Sequence, residues 1–96
     1  MKINFNSGNG ILNVALDGRL DTVTAPELEK FLDETHDGKS LIVMDCKKLL
    51  YISSAGLRVL LSTQKKTKGA LKLVSVCEDV MEVLEMTGFA DILVIE

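Results

Sequence analysis

"LIVMDCKKLLYISSAGLRVLL", residues 41–61, decides how this chain folds. It opens with "LIVMDC", a continuous apolar run of the kind found in strands covered on both faces, and so in a sheet with helices packed against it. From Ser54 onward the pattern changes, with Leu57, Leu60 and Leu61 recurring at helical spacing. Lys65, Lys66 and Lys68 complement the end of that helix before Gly69 stops it. Between strand and helix stands "SSAG", residues 53–56, and this junction needs an explanation.

Toward the N-terminus, "KINF" (2–5) and "ILNVALDG" (11–18) are β-type runs separated by "NSGNG" (6–10), which predicts a hairpin. Leu12, Val14 and Leu16 share one face of the second run. "DTVTAPELEKFLDETHDG" (21–38) predicts a helix, with Thr24 and Glu27 as a capping box, Pro26 in the first turn, and Leu28, Phe31 and Leu32 on one side. Gly38 closes it. Toward the C-terminus, "LKLVSV" (71–76) reads as a strand. "EDVMEVLEMTG" (78–88) reads as a third helix with Val80, Val83 and Leu84 inward, and "DILVIE" (91–96) as a closing strand. The order ββαβαβαβ makes the fold class α/β: one domain over 1–96, whose central sheet is mixed because the hairpin is antiparallel and the helical crossovers are parallel. Partners of such sheets meet the carboxyl ends of the strands, and "YISSAG" (51–56) is expected just beyond a strand over 41–46.

Composition narrows the function. A chain of 96 residues has room for one core, and its 47% apolar and 26% charged residues are an ordinary globular balance. No apolar run approaches a membrane span, and "MKINFNSGNG" lacks an apolar export region, so a cytoplasmic location away from membranes is expected. A net charge of -3 argues against nucleic acid, whose phosphates need clustered Lys and Arg. Cys46 and Cys77 are too few and too far apart for a disulfide framework or a CxxC site, and read as reduced thiols in the core.

Catalysis finds little support. A serine at a strand-to-helix turn also suits the GxSxG nucleophile elbow, but Tyr51 and Ile52 stand where its first glycine belongs. The only histidine, His36, sits at the end of another helix, where it complements the helix dipole rather than serving as a base. Asp17, Asp21 and Asp45 follow no metal-loop spacing; Asp21 is expected to tether the turn before the first helix and Asp45 the turn after its strand. Neither an enzyme nor a metal site is expected.

The junction remains. A helix cap accounts for one serine but not two, and it leaves Gly56 inside the first turn, where glycine costs about 0.5–1 kcal/mol relative to alanine. A helix start with free N–H groups can also accommodate a phosphorylated serine, and Ala55 and Gly56 offer a small surface to a partner's backbone.

With these residues in view, the chain resembles the STAS domain of bacterial anti-sigma-factor antagonists. "GRLDTVTAPELEKFL" (18–32) is similar to the family's G-x-L-D and first helix, residues 41–61 to its central strand, signature and second helix, and "MEVLEMTGFADILVIE" (81–96) to its C-terminal end. The family signature D-S-[ST]-G-L lies over Ser53, Ser54, Ala55, Gly56 and Leu57, so two positions depart from it, Ser53 for the aspartate and Ala55 for the second hydroxyl. The resemblance implies phosphorylation at Ser54, with Ser53 as second choice. It implies a partner-binding rim of Asp21, Tyr51, Ser53, Ser54, Gly56, Arg58 and Ser62. The implied partners are an anti-sigma factor that is a serine kinase, which binds the ATP, and a phosphoserine phosphatase. The chain itself would hold no cofactor. A rival expectation keeps the fold but makes it a non-switching interaction or scaffold module in a larger signalling assembly.

Overall fold

The hairpin closes on Asn9 and Gly10, both at positive φ (54° and 75°), the two-residue turn whose twist matches that of the strands it joins. The rest of "NSGNG" is strand. In the computed structural model, which describes residues 1–96, β1 runs Lys2–Gly8 and β2 Ile11–Leu20. They are followed by α1 (Ala25–Thr35), β3 (Leu41–Ile52), α2 (Ser54–Lys66), β4 (Leu71–Val74), α3 (Glu78–Met86) and β5 (Val94–Ile95).

The five strands stand in chain order, with β1 antiparallel to β2 and every later pair parallel. This is the mixed α/β sheet expected from the sequence. Right-handed crossovers that step in one direction across a sheet leave their helices on a single face. Accordingly Leu12, Val14 and Leu16 of β2, Ile42, Met44 and Cys46 of β3, and Leu71 and Leu73 of β4 join Leu28, Leu32, Leu57, Leu60, Val80 and Leu84 of the helices in one buried cluster. The alternate residues Asn13, Val43, Asp45, Lys72 and Val74 are not buried, and part of that face forms an open hollow of about 390 Å³. The reading of "LIVMDC" as covered on both faces is therefore corrected: Ile42 and Met44 are sealed, whereas Val43 and Asp45 are half-buried on the open side.

β3 is also longer than expected. Its pairing with β2 steps from Ala15↔Asp45 to Asp17↔Lys48, and from Gly18↔Leu49 to Arg19↔Tyr51, so at each irregularity β3 carries one residue more than its partner. Asp45 Oδ1 accepts the Lys47 N–H at 2.9 Å, which tethers the first bulge rather than a turn after the strand. The bulges return Leu49 and Ile52 to the buried face, so "KKLLYI" continues the strand despite its exposed lysines.

Other ends shift too. β4 stops at Val74, where Ser75 takes positive φ, and a 3-10 turn over Phe89–Asp91 leaves only Val94–Ile95 as β5. His36 ends α1, but its ring serves the following loop rather than the helix dipole: Nε2 lies 2.7 Å from the Ser40 carbonyl, and Nδ1 accepts the Gly38 N–H at 3.3 Å.

Candidate functional site

The start of α2 separates the two serines chemically. Ser53 is the N-cap in extended backbone, and its half-buried Oγ accepts the Gly56 N–H at 3.3 Å. Its own N–H donates to the Leu20 carbonyl at 2.9 Å, so the cap is fixed to the end of β2. Ser54, the first helical residue, is exposed, and its hydroxyl has no hydrogen-bond partner within the molecule. One hydroxyl is engaged by the fold and the other is free.

Gly56 lies beneath this surface rather than on it. It is buried, and a methyl group there would stand 2.8 Å from Leu20 Cγ, 2.9 Å from Ile52 Cγ1 and 3.0 Å from the Leu20 carbonyl oxygen. The missing side chain lets the helix start sit against the ends of β2 and β3; it does not offer contact to a visitor.

Asp21 is engaged as well. Its Oδ1 accepts the Val23 and Thr24 N–H groups at 3.0 and 3.1 Å, and its own N–H donates to Thr24 Oγ1 at 2.8 Å. The Thr24 hydroxyl in turn donates to the Arg19 carbonyl at 2.7 Å. This side-chain turn replaces the expected capping box, since Thr24 makes no side-chain cap to α1. The Thr24 N–H, aided by that of Val23 and by the nearby Arg19 charge, holds the Asp21 carboxyl below its ordinary value against a smaller desolvation effect.

The remaining rim residues divide. Arg58 and Ser62 follow Ser54 at i+4 and i+8, so the three form one stripe along α2, while Leu57, Val59, Leu60 and Thr63 point inward. Arg58 and Ser62 border a groove of about 450 Å³ between α1 and α2, closed on the other side by Thr22, Pro26 and Glu29, with Ala55, the residue after Ser54, at its head. Ala55 is expected at a partner surface from the sequence, whereas Thr22, Pro26 and Glu29 are not; their 22, 26, 29 spacing, leading into and along α1, is the available signal. Tyr51 belongs elsewhere. It pairs with Arg19 next to the inward-facing pair Leu20 and Ile52, so it projects from the opposite side of the sheet, where the Arg19 guanidinium lies over its ring at 4.1 Å. No group of three or more His, Cys, Asp or Glu side chains is gathered where it could hold a metal ion. Cys46 is buried, and burial, then Asp45 and Cys77, push its thiol up to about 12. No helix is long and apolar enough to cross a membrane.

Comparison with known proteins agrees with this architecture. The STAS domain family model matches residues 2–96. BtrV of Bordetella bronchiseptica, named as an anti-sigma factor antagonist, is 38% identical over an alignment that covers 96% of this chain and 83% of that protein. Two solved structures share the fold: an anti-sigma factor antagonist from Mycobacterium paratuberculosis (TM-score 0.86, 23% identity, 98% of this chain and 83% of that one) and the unphosphorylated form of the anti-sigma factor antagonist SpoIIAA from Bacillus (TM-score 0.74, 13% identity, 99% and 87%). With its whole folded length accounted for by that model and by a relative of this identity, the chain belongs to the STAS domain family.

Proposed function

We propose that this protein is an anti-sigma factor antagonist that works as a switch. Unphosphorylated, it binds a kinase-type anti-sigma factor in the cytoplasm and so frees the sigma factor; phosphorylation of Ser54 ends that binding. The name of BtrV supports the first half. The observation that carries the second is the contrast between the serines: Ser53 Oγ is committed to the helix cap, whereas the Ser54 hydroxyl is exposed and unpartnered at the start of α2, one residue before Ala55 of the α1–α2 groove.

The chemistry is phosphoryl transfer. Ser54 Oγ forms a bond to the γ-phosphorus of ATP held by the partner, the bond from that phosphorus to the bridging oxygen breaks to leave ADP, and the hydroxyl proton passes to a base of the kinase. The antagonist is the substrate and brings no cofactor of its own. A phosphatase reverses the change by hydrolysing the ester with water. The added group carries about -1.5 to -2 charges at neutral pH. Each unit-charge repulsion at about 4 Å is worth on the order of 4 kcal/mol at an effective dielectric of about 20. Since about 1.4 kcal/mol is tenfold in affinity, half of one such repulsion separates the complex.

Incubation with the purified anti-sigma kinase and ATP, followed by mass mapping, tests the assignment. The expected result is one phosphate on Ser54 and none on the Ser54→Ala variant. Label on Ser53 instead, or no label at all, overturns it and leaves a non-switching interaction module as the better account.

A further inference from the structure

Arg58 is a charge without a partner. The ion pairs of the structure are Lys30–Glu34, Lys66–Asp33 and Lys72–Glu96, and the Arg19 guanidinium lies over Tyr51, so of the two arginines Arg58 is the one left exposed and unpaired, although Glu29 lines the same groove. It stands one helical turn after the free hydroxyl of Ser54. Residues at i and i+4 on a helix are neighbours, with about 5–6 Å between Cβ atoms, and an anion preceding a cation is the favourable order. A guanidinium presents a planar fork of donors that fits phosphate oxygens in pairs.

We infer that Arg58 is a second element of the switch: it is offered to an acidic group of the partner while Ser54 is free, and it is captured by the phosphate once Ser54 is modified. The inference rests on the reading of Ser54 as phosphoacceptor. It adds that modification acts twice on one surface, since it introduces negative charge and withdraws the cation that the partner used. Repulsion alone would leave Arg58 available. Capture removes it without any movement of the backbone, because both side chains already share one face of a fixed helix. Ser62 continues the stripe but carries no charge, and Lys65 lies about three turns beyond Ser54, so Arg58 is the cation of the stripe within reach of position 54.

The experiment installs phosphoserine at position 54 of the full chain by genetic encoding, so that no kinase is needed, and follows the second ionisation of the phosphate by phosphorus NMR. The expected value is lower in the wild type than in Arg58→Ala by about 0.3 unit, the shift that an i,i+4 pair on a helix surface produces, with Arg58→Lys in between. Equal values in wild type and Arg58→Ala overturn the capture while leaving Ser54 as acceptor. A kinase that never labels Ser54 overturns the acceptor assignment while leaving the pair intact. In the second arm, unphosphorylated Arg58→Ala is expected to bind the anti-sigma kinase about tenfold more weakly than wild type. Unchanged affinity overturns the offer of Arg58 to the partner.

Discussion

At the scale of single residues, adjacent serines have separate duties, and mutation should distinguish them. Ser53→Ala removes the acceptor of the Gly56 N–H and should cost about 1 kcal/mol in urea unfolding. Ser54→Ala removes an exposed, unpartnered hydroxyl and should stay within about 0.5 kcal/mol of wild type in the same measurement. Gly56→Ala should be worst. Its new methyl meets the buried Leu20 and Ile52 at 2.8 and 2.9 Å, and overpacking of this kind costs about 1–3 kcal/mol, although alanine is the better helix former. A Gly56→Ala variant as stable as wild type would contradict the close approach of α2 to the strand ends. The sequence showed that this glycine was out of place in a first helical turn, but not on which side of the helix its absent side chain mattered. That depended on Leu20, which lies 36 positions away in the chain and reaches the site only through the β2–β3 pairing.

Elements are joined by side-chain turns, and these make stability depend on pH. In the loop between α1 and β3, the Asp37 carboxylate accepts the Ser40 and Lys39 N–H groups at 2.7 and 2.8 Å and the Ser40 hydroxyl at 2.8 Å. Led by the Ser40 N–H, these bonds lower its pKa to about 2. Asp21 is shifted the same way before α1, chiefly by the Thr24 N–H. A carboxyl with a lower pKa folded than unfolded stabilises fully above its unfolded value of about 3.9, and loses that contribution as pH falls through its folded value. The melting temperature should therefore decline between about pH 4 and 2, more shallowly in Asp37→Ala than in wild type. An identical decline in both would contradict the loop geometry. Helix periodicity made all three helices legible, whereas the start of α1 was misread because Thr24 and Glu27 fit a capping box as spacing while Asp21 holds the turn in space. β3 was cut short for a similar reason: Lys47 and Lys48 look like a loop until two bulges in register with β2 return Leu49 and Ile52 to the core.

The whole molecule is a one-sided sheet, and this asymmetry is testable. Met44 is fully buried under the helices and Met44→Ala should cost about 2–5 kcal/mol, whereas Val43, its neighbour on the open face, should cost clearly less when cut to alanine. Equal losses in thermal unfolding would mean that both faces are covered. The α/β order was legible in the alternation of apolar runs and helical spacing; the bare face was not, because "LIVMDC" is apolar at nearly every position and its pattern does not record which side the helices take. That layout leaves the α1–α2 groove as a surface beside the exposed Ser54, with Ala55 at its head and with Tyr51 and Arg19 behind it on the other side of the sheet. The proposed switch depends on what a phosphate at that point does to binding. The most direct measurement is the affinity of the anti-sigma factor for the unmodified chain and for the chain carrying phosphoserine at position 54, taken side by side by calorimetry. The modified form is expected to bind at least about tenfold more weakly, the equivalent of about 1.4 kcal/mol. Equal affinities would contradict the switch.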